Sequence, residues 1–179
     1  KTNFQGRVLL IGYGGAAKCL SQLFLRHLDM DYSRMTIVDP IDYRVEAADL
    51  IAAGATYKLI EVTQANMNSV LEEHVGFGDL IIDLSVNVGT LSLASWCFQN
   101  DVMYINTSVE QWGISINNHS WSEDTLYRRH VELREHMKML GPDGPTVVVE
   151  HGCNPGLASH WTKQGLEDIA TRILQLPVL

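Results

Sequence analysis

Cysteine and positive charge are scarce in this chain. Among 179 residues there are three cysteines, Cys19, Cys97 and Cys153, odd in number and far apart. They make no Cys-x-x-Cys pair, which argues against a disulfide scaffold and for a reducing compartment, the cytoplasm. Lys and Arg total 13 against 21 Asp and Glu, a net charge of −8. That balance argues against nucleic acid as a partner. No apolar run reaches spanning length, and the opening Lys1-Thr-Asn-Phe4 is not a signal peptide, so no membrane role is expected. The P-loop pattern is missing, which argues against a nucleotidase of that type. His130, Glu132, Glu135 and His136 share one helical stretch without making the His-Glu-x-x-His zinc pattern. They read as a solvated face, and no metal is expected. There is no internal repeat and no low-complexity tract.

What is present has an ordinary globular composition, 46% hydrophobic and 19% charged. The length suits one sizeable core. Apolar runs at 7–11, 35–39, 57–61, 79–85, 102–106 and 146–150 read as strands. They alternate with helix-like segments at 15–28, 64–75, 89–99, 122–140 and 156–175, and a weaker one near 43–53 that Gly54 stops. Leu80-Ile-Ile-Asp-Leu84 and Val147-Val-Val149 carry consecutive apolar residues, as in strands buried on both faces of a parallel sheet. Six strands joined by crossovers predict a doubly wound α/β sheet of the Rossmann type, order 3-2-1-4-5-6, with helices on both faces. Ser120-x-x-Glu123 predicts a capping box for the helix at 122–140, and Asn154-Pro155 a cap and first position for the last helix.

The richest stretch is Arg7-Val-Leu-Leu-Ile-Gly-Tyr-Gly-Gly-Ala-Ala17. A strand runs straight into Gly12-x-Gly14-x-x-Ala17, and a helix follows. Gly12 permits the tight turn, and Gly14 lets backbone approach a pyrophosphate. Ala17 lets the helix pack close, while the helix N-terminus offers free N–H groups. Met35-Thr-Ile-Val-Asp39 reads as the next strand and ends in an acid. Asp39 stands close to the roughly 20-residue offset of a ribose-binding carboxylate. Its charge disfavours a 2′-phosphate, so NAD is expected rather than NADP.

Ligands of such sheets lie at the carboxyl ends of the strands. Polar residues gather there: Ser85 and Asn87, then Thr107, Glu110 and Trp112, then Glu150, His151 and Asn154. Glu110 and Trp112 suit a cation, one by charge and one by its aromatic face. Position alone leaves a surface glutamate and a packing tryptophan equally open. Asn154 either caps the last helix or presents an amide to substrate or nicotinamide. His151 and Glu150 fit acid–base work or a structural hydrogen bond. Cys153 has no base at a readable spacing, so no nucleophilic role is expected.

Taken together, Ile11-Gly-Tyr-Gly-Gly15, Asp83-Leu-Ser-Val-Asn-Val88, Asn106-Thr-Ser-Val-Glu-Gln-Trp112 and His151-Gly-Cys-Asn-Pro-Gly-Leu-Ala-Ser-His160 resemble bacterial-type homospermidine synthase. That family lies within the saccharopine dehydrogenase-like group. The resemblance runs in order across nearly the whole chain, and its last block is the most specific. It implies a transferase that makes homospermidine from putrescine or spermidine. Bound NAD takes a hydride from an amine carbon and later returns it, and the imine exchanges its nitrogen in between. By this resemblance Gly12, Gly14, Gly15, Ala16, Ala17, Asp39, Ser85, Thr107 and Asn154 hold the cofactor. Glu110 holds an ammonium group, Trp112 shapes the pocket, and Asn154 lies beside the reacting carbon. Asn87 and His151 complete the catalytic set.

Three departures qualify the match. Ala17 replaces the usual third glycine, and Asn87 stands where the family generally has an acid. Family members also run far beyond this length. The expectation is therefore a cofactor domain at 1–179, without the substrate and dimerisation domain that makes the full-length protein a homo-oligomer. Two other readings are a saccharopine or carboxyspermidine dehydrogenase-like oxidoreductase and a non-catalytic NAD-binding module. The oxidoreductase needs an arginine at the strand ends, whereas Arg128, Arg129 and Arg134 are expected on a helix.

Overall fold

The computed structural model describes residues 1–113, 125–152 and 156–175. The elements run β1 (Thr2–Asn3), β2 (Val8–Ile11), α1 (Gly15–His27), β3 (Leu28–Asp29), a 3-10 turn (Tyr32–Arg34), β4 (Met35–Asp39), α2 (Ala48–Ala52) and β5 (Thr56–Leu59). They continue with α3 (Met67–His74), β6 (Leu80–Asp83), α4 (Thr90–Gln99), β7 (Met103–Asn106), α5 (Leu126–Leu140), β8 (Val147–Val148) and α6 (Ala158–Leu174). Every apolar run read as a strand becomes one. They form a six-stranded sheet of order β5-β4-β2-β6-β7-β8, parallel at every pairing. Counted along those six runs, that is the expected 3-2-1-4-5-6.

The sheet is sandwiched because its central strands are apolar on both faces. All four residues of β2 are buried. Leu9 and Ile11 join Val70, Leu71, Leu93, Trp96 and Leu133 from α3, α4 and α5 in one core. Val8 and Leu10 point the other way, to Ala17, Phe24 and Leu50 of α1 and α2. The two-residue period of a strand sorts the side chains between the layers. In α1 the buried residues Ala17, Ser21 and Phe24 follow helical spacing, and Arg26 and His27 complement the negative end of the helix.

Several details differ from the sequence reading. The helix expected at 122–140 starts at Leu126, and its cap is Thr125, whose hydroxyl accepts from the Arg128 N–H. Ser120 and Glu123 lie outside the described residues, as do Asn154 and Pro155. The weak helix near 43–53 shrinks to α2, and Gly54 follows it with φ of +121°. The paired strands β1 and β3 were not expected. Two residues are too few to show a period, and only the return of the chain after α1 gives β1 a partner. No helix among the described residues is long and apolar enough to cross a membrane.

The turn from β2 to α1 sets up everything at the strand ends. Gly12 has φ of +86°, and its N–H donates to the Val38 carbonyl at 2.9 Å. A Cβ at Gly12 would meet the Ser85 nitrogen at 2.8 Å and the Leu84 carbonyl carbon at 2.9 Å. At Gly14 and Gly15 an added Cβ meets nothing within 4 Å. These glycines do different jobs: one lets two backbones touch, the others leave space open. Gly12→Ala is expected to cost about 1–3 kcal/mol through its strained φ and the backbone overlap. Gly15→Ala is expected to leave stability unchanged or raise it by up to about 1 kcal/mol. Urea unfolding of the two variants checks the pair, and equal losses would contradict the assignment.

Candidate functional site

Parallel register brings the polar strand ends to one edge. Ile11 lies opposite Val38 on one side and Asp83 on the other, and Asp83 lies opposite Asn106. A groove of about 690 Å³ follows this edge, and Gly12, Gly14, Asp39, Ser85, Asn87 and Trp112 are among its lining residues. Such a volume falls within the usual range for small-molecule sites.

Asp39 is held firmly at one end. Its Oδ2 accepts from the Tyr13 N–H at 2.6 Å and its Oδ1 from the Ile41 N–H at 2.7 Å. The carboxylate therefore clamps the glycine turn to the loop after β4. Each oxygen keeps a second lone pair for a ligand. Tyr13 turns away from the groove into the core, where its hydroxyl pairs with Ser21 Oγ at 2.7 Å. The Tyr57 hydroxyl donates to the Ile41 carbonyl at 2.6 Å and steadies the same loop. Gly15 and Ala16 are exposed at the start of α1, while Ala17 is buried against the sheet. No side chain caps the α1 N-terminus, so its first N–H groups face the open space above Gly14 and Gly15.

The middle of the edge is floored by a buried polar chain. Asp83 Oδ1 accepts from the Ser85 N–H at 3.1 Å and from the Ser85 hydroxyl, and Oδ2 accepts from the Tyr104 hydroxyl at 2.9 Å. The Asn106 amide donates to the Tyr104 oxygen at 2.9 Å and to Thr90 Oγ1 at 3.2 Å. Thr90 Oγ1 also accepts the Glu110 N–H at 2.9 Å. The Asn106 carbonyl oxygen of the side chain takes the Glu150 N–H at 2.9 Å. Burial pushes the Asp83 carboxyl above its ordinary range, against the pull of the Ser85 and Tyr104 hydrogen bonds. Burial likewise pushes the Cys97 thiol up to about 12, with the Asp83 charge adding to it. That excludes a reactive thiolate at Cys97.

Glu110 and Trp112 come together at the far end. A smaller cavity of about 180 Å³ is lined by Gly89, Ser92, Glu110, Trp112, Arg129 and Glu132, among others. Trp112 lines both spaces and forms the wall between them. Its indole N–H donates to Ser92 Oγ at 2.9 Å. A Cβ on Gly89 would overlap the indole, so glycine is what lets the ring lie down on α4. Arg129 reaches in from α5, and its Nη1 donates to the Val109 carbonyl at 3.0 Å. The sequence reading kept the arginines away from the strand ends. The fold brings this one back, because α5 packs beside the loop after β7.

The other expected residues divide between the groove and its surroundings. Asn87 lines the groove with φ of +63°, a conformation asparagine tolerates. Thr107 is half-buried beside Gly152 and does not line the groove. His151 is exposed and stands edge-to-face with His160, their ring centres 5.2 Å apart. Glu150 is buried, with φ of +58°, and its Oε2 lies 2.6 Å from His130 Nε2. His136 meets Ser95 Oγ at 2.8 Å. The two histidines of the supposed solvated face are thus half-buried anchors of α5. Among the described residues no cluster could hold a metal ion. Asn154 and Cys153 lie outside the described residues.

Sequence reasoning missed Arg129 and the Asp83–Tyr104–Asn106–Thr90 chain. Asp83 did carry a signal: an acid closing an otherwise apolar strand must find partners or stay costly.

The family model of the saccharopine dehydrogenase NADP binding domain matches residues 8–148. Homospermidine synthase of Mesorhizobium japonicum is 34% identical over 173 residues, which is 93% of this chain and 35% of that protein. Homospermidine synthase of Blastochloris viridis is 29% identical over 172 residues, 92% of this chain and 35% of the relative. The crystal structure of homospermidine synthase from Legionella pneumophila in complex with NAD superposes with a TM-score of 0.79 at 28% identity. It covers 99% of this chain and 36% of that one. The chain thus spans about a third of the length of these relatives. With its matched span, parallel strand order and glycine turn, the chain belongs to the saccharopine dehydrogenase NADP binding domain family.

Proposed function

We propose that this chain is the NAD-binding part of a homospermidine synthase, with polyamines such as putrescine and spermidine as substrates. The observation that carries the reading is the groove running from Asp39, across the open glycines, to Ser85, Asn87 and Trp112. Its shape suits a dinucleotide laid over a helix N-terminus. The similarity to homospermidine synthases, one of them in complex with NAD, supports the choice of cofactor and reaction. When bound, NAD accepts a hydride from an amine carbon and gives it back to an imine.

The residues present fit that group. Asp39 suits the adenosine ribose diol and repels a 2′-phosphate. Arg44, the nearby cation that would favour a phosphate, is paired with Asp42 at 3.2 Å. Gly12 and Gly14 admit the pyrophosphate, and Ser85 and Asn87 line the half of the groove left for the nicotinamide. Glu110 supplies a carboxylate for an ammonium group, and Trp112 excludes water between the two spaces. In this reading His151 and Asn154 stay in the catalytic set, whereas Thr107, which does not line the groove, drops from the cofactor contacts. The whole protein is read as a cytoplasmic homo-oligomer.

Arg129 favours a second reading. A guanidinium lining the Glu110 cavity suits a carboxylated substrate, as in a saccharopine or carboxyspermidine dehydrogenase-like enzyme.

Full-length protein given putrescine and catalytic NAD separates the readings. Homospermidine without external oxidant supports the synthase. Steady NADH accumulation with a carboxylated amine supports the dehydrogenase, and binding without turnover leaves a binding module. Asp39→Asn is expected to weaken NAD binding by about 1–3 kcal/mol, the scale of a charged hydrogen bond. Calorimetry on the folded variant checks it, and unchanged affinity removes Asp39 from the site. Glu110→Gln is expected to raise KM for the amine at least about tenfold with NAD affinity intact. Equal loss of both would remove its assigned role.

A further inference from the structure

We propose that the buried Asp83 carboxylate places a negative charge behind the nicotinamide end of the groove, where it favours the cationic, oxidised form of the nucleotide over the neutral, reduced form. This rests on the dinucleotide reading above and assigns a residue that reading leaves unused.

Placement comes from the two ends of the groove. Asp39 at the tip of β4 fixes the adenosine half on that side of the glycine turn. A dinucleotide crosses the switch point between β2 and β6, so its other half lies over Ser85 and Asn87. Asp83 closes β6 two residues before Ser85, behind the groove lining. Its carboxylate bonds to the Ser85 hydroxyl and N–H, and Ser85 lines the groove.

The hydrogen bonds around Asp83 have one polarity. Asn106 donates to the Tyr104 oxygen, and the Tyr104 hydroxyl donates to Asp83. Ser85 donates from the other side with both N–H and O–H. Every partner gives a proton toward the carboxylate, the arrangement that serves an anion. Yet Asp83 is only 3% exposed, and among the described residues no Lys, Arg or His forms an ion pair with it. The charged neighbour that acts on it is Glu110, another carboxylate. A buried anion with donors and no cation is costly until a positive charge arrives. The raised pKa of Asp83 has the same origin. The oxidised nicotinamide ring carries a positive charge, and the reduced ring carries none. A purely structural hydrogen-bond hub holds the loop equally well for both forms, whereas a charge distinguishes them.

The test is to titrate the chain separately with NAD+ and NADH, as wild type and as Asp83→Asn. The wild type is expected to bind NAD+ about tenfold more tightly than NADH, the scale of one screened charge pair at close range. In Asp83→Asn the two affinities are expected to fall within about twofold of each other. A variant that loses affinity for both forms by one factor, with the ratio kept, overturns the proposal and leaves Asp83 a structural hub. If Asp83→Asn does not fold, the wild-type ratio decides: NADH bound as tightly as NAD+, or more tightly, overturns it. Binding of neither form removes the dinucleotide reading itself, and this inference with it.

Discussion

One close approach governs this molecule: the bare backbone of Gly12 lies against the backbone of Leu84 and Ser85. No side chain fits between them. The contact joins the two central strands at the point where the strand order reverses. It lets α1 start directly over the sheet edge and seats Ser85 on the groove floor. Asp39 completes the corner by binding the N–H groups of Tyr13 and Ile41. A groove opens over the glycine turn because bare backbone, not side chain, forms its wall there.

Behind that base the fold keeps polar groups where an ordinary core would be apolar. Asp83, Thr90, Tyr104 and Asn106 are nearly inaccessible, yet each finds a hydrogen-bond partner. The chain they form touches Ser85 at the groove and the Glu110 backbone at the smaller cavity. Glu150 and His130 extend the same logic toward α5. Buried polar networks of this kind specify one arrangement, since a shifted register would strand several groups at once. The two spaces at the strand ends share Trp112 in their linings.

Much of this was legible in the residues. The strands announced themselves as apolar runs, and two-sided burial of β6 followed from its lack of alternation; Val147 and Val148 of β8, read the same way, are only half-buried because β8 is an edge strand. The placement of Gly12, Gly14 and Asp39 at the groove was legible because it depends on short spacing along the chain. The Asp83 chain was not, since its bonds join residues 21 positions apart across neighbouring strands and 16 apart between a strand and helix α4. Arg129 was hidden for the same reason: a helix assignment says nothing about which strand end its long side chain reaches. Likewise the inward packing of His130 and His136 depends on how α5 rotates against α4. The pairing of β1 with β3 involves too few residues to leave a pattern.

The most direct check is a crystal structure of the chain soaked with NAD. The adenosine ribose is predicted at Asp39, the pyrophosphate over Gly12 and Gly14, and the nicotinamide ring beside Ser85 and Asn87. Density for the nucleotide in another place, or an empty groove at saturating concentration, would contradict the central claim.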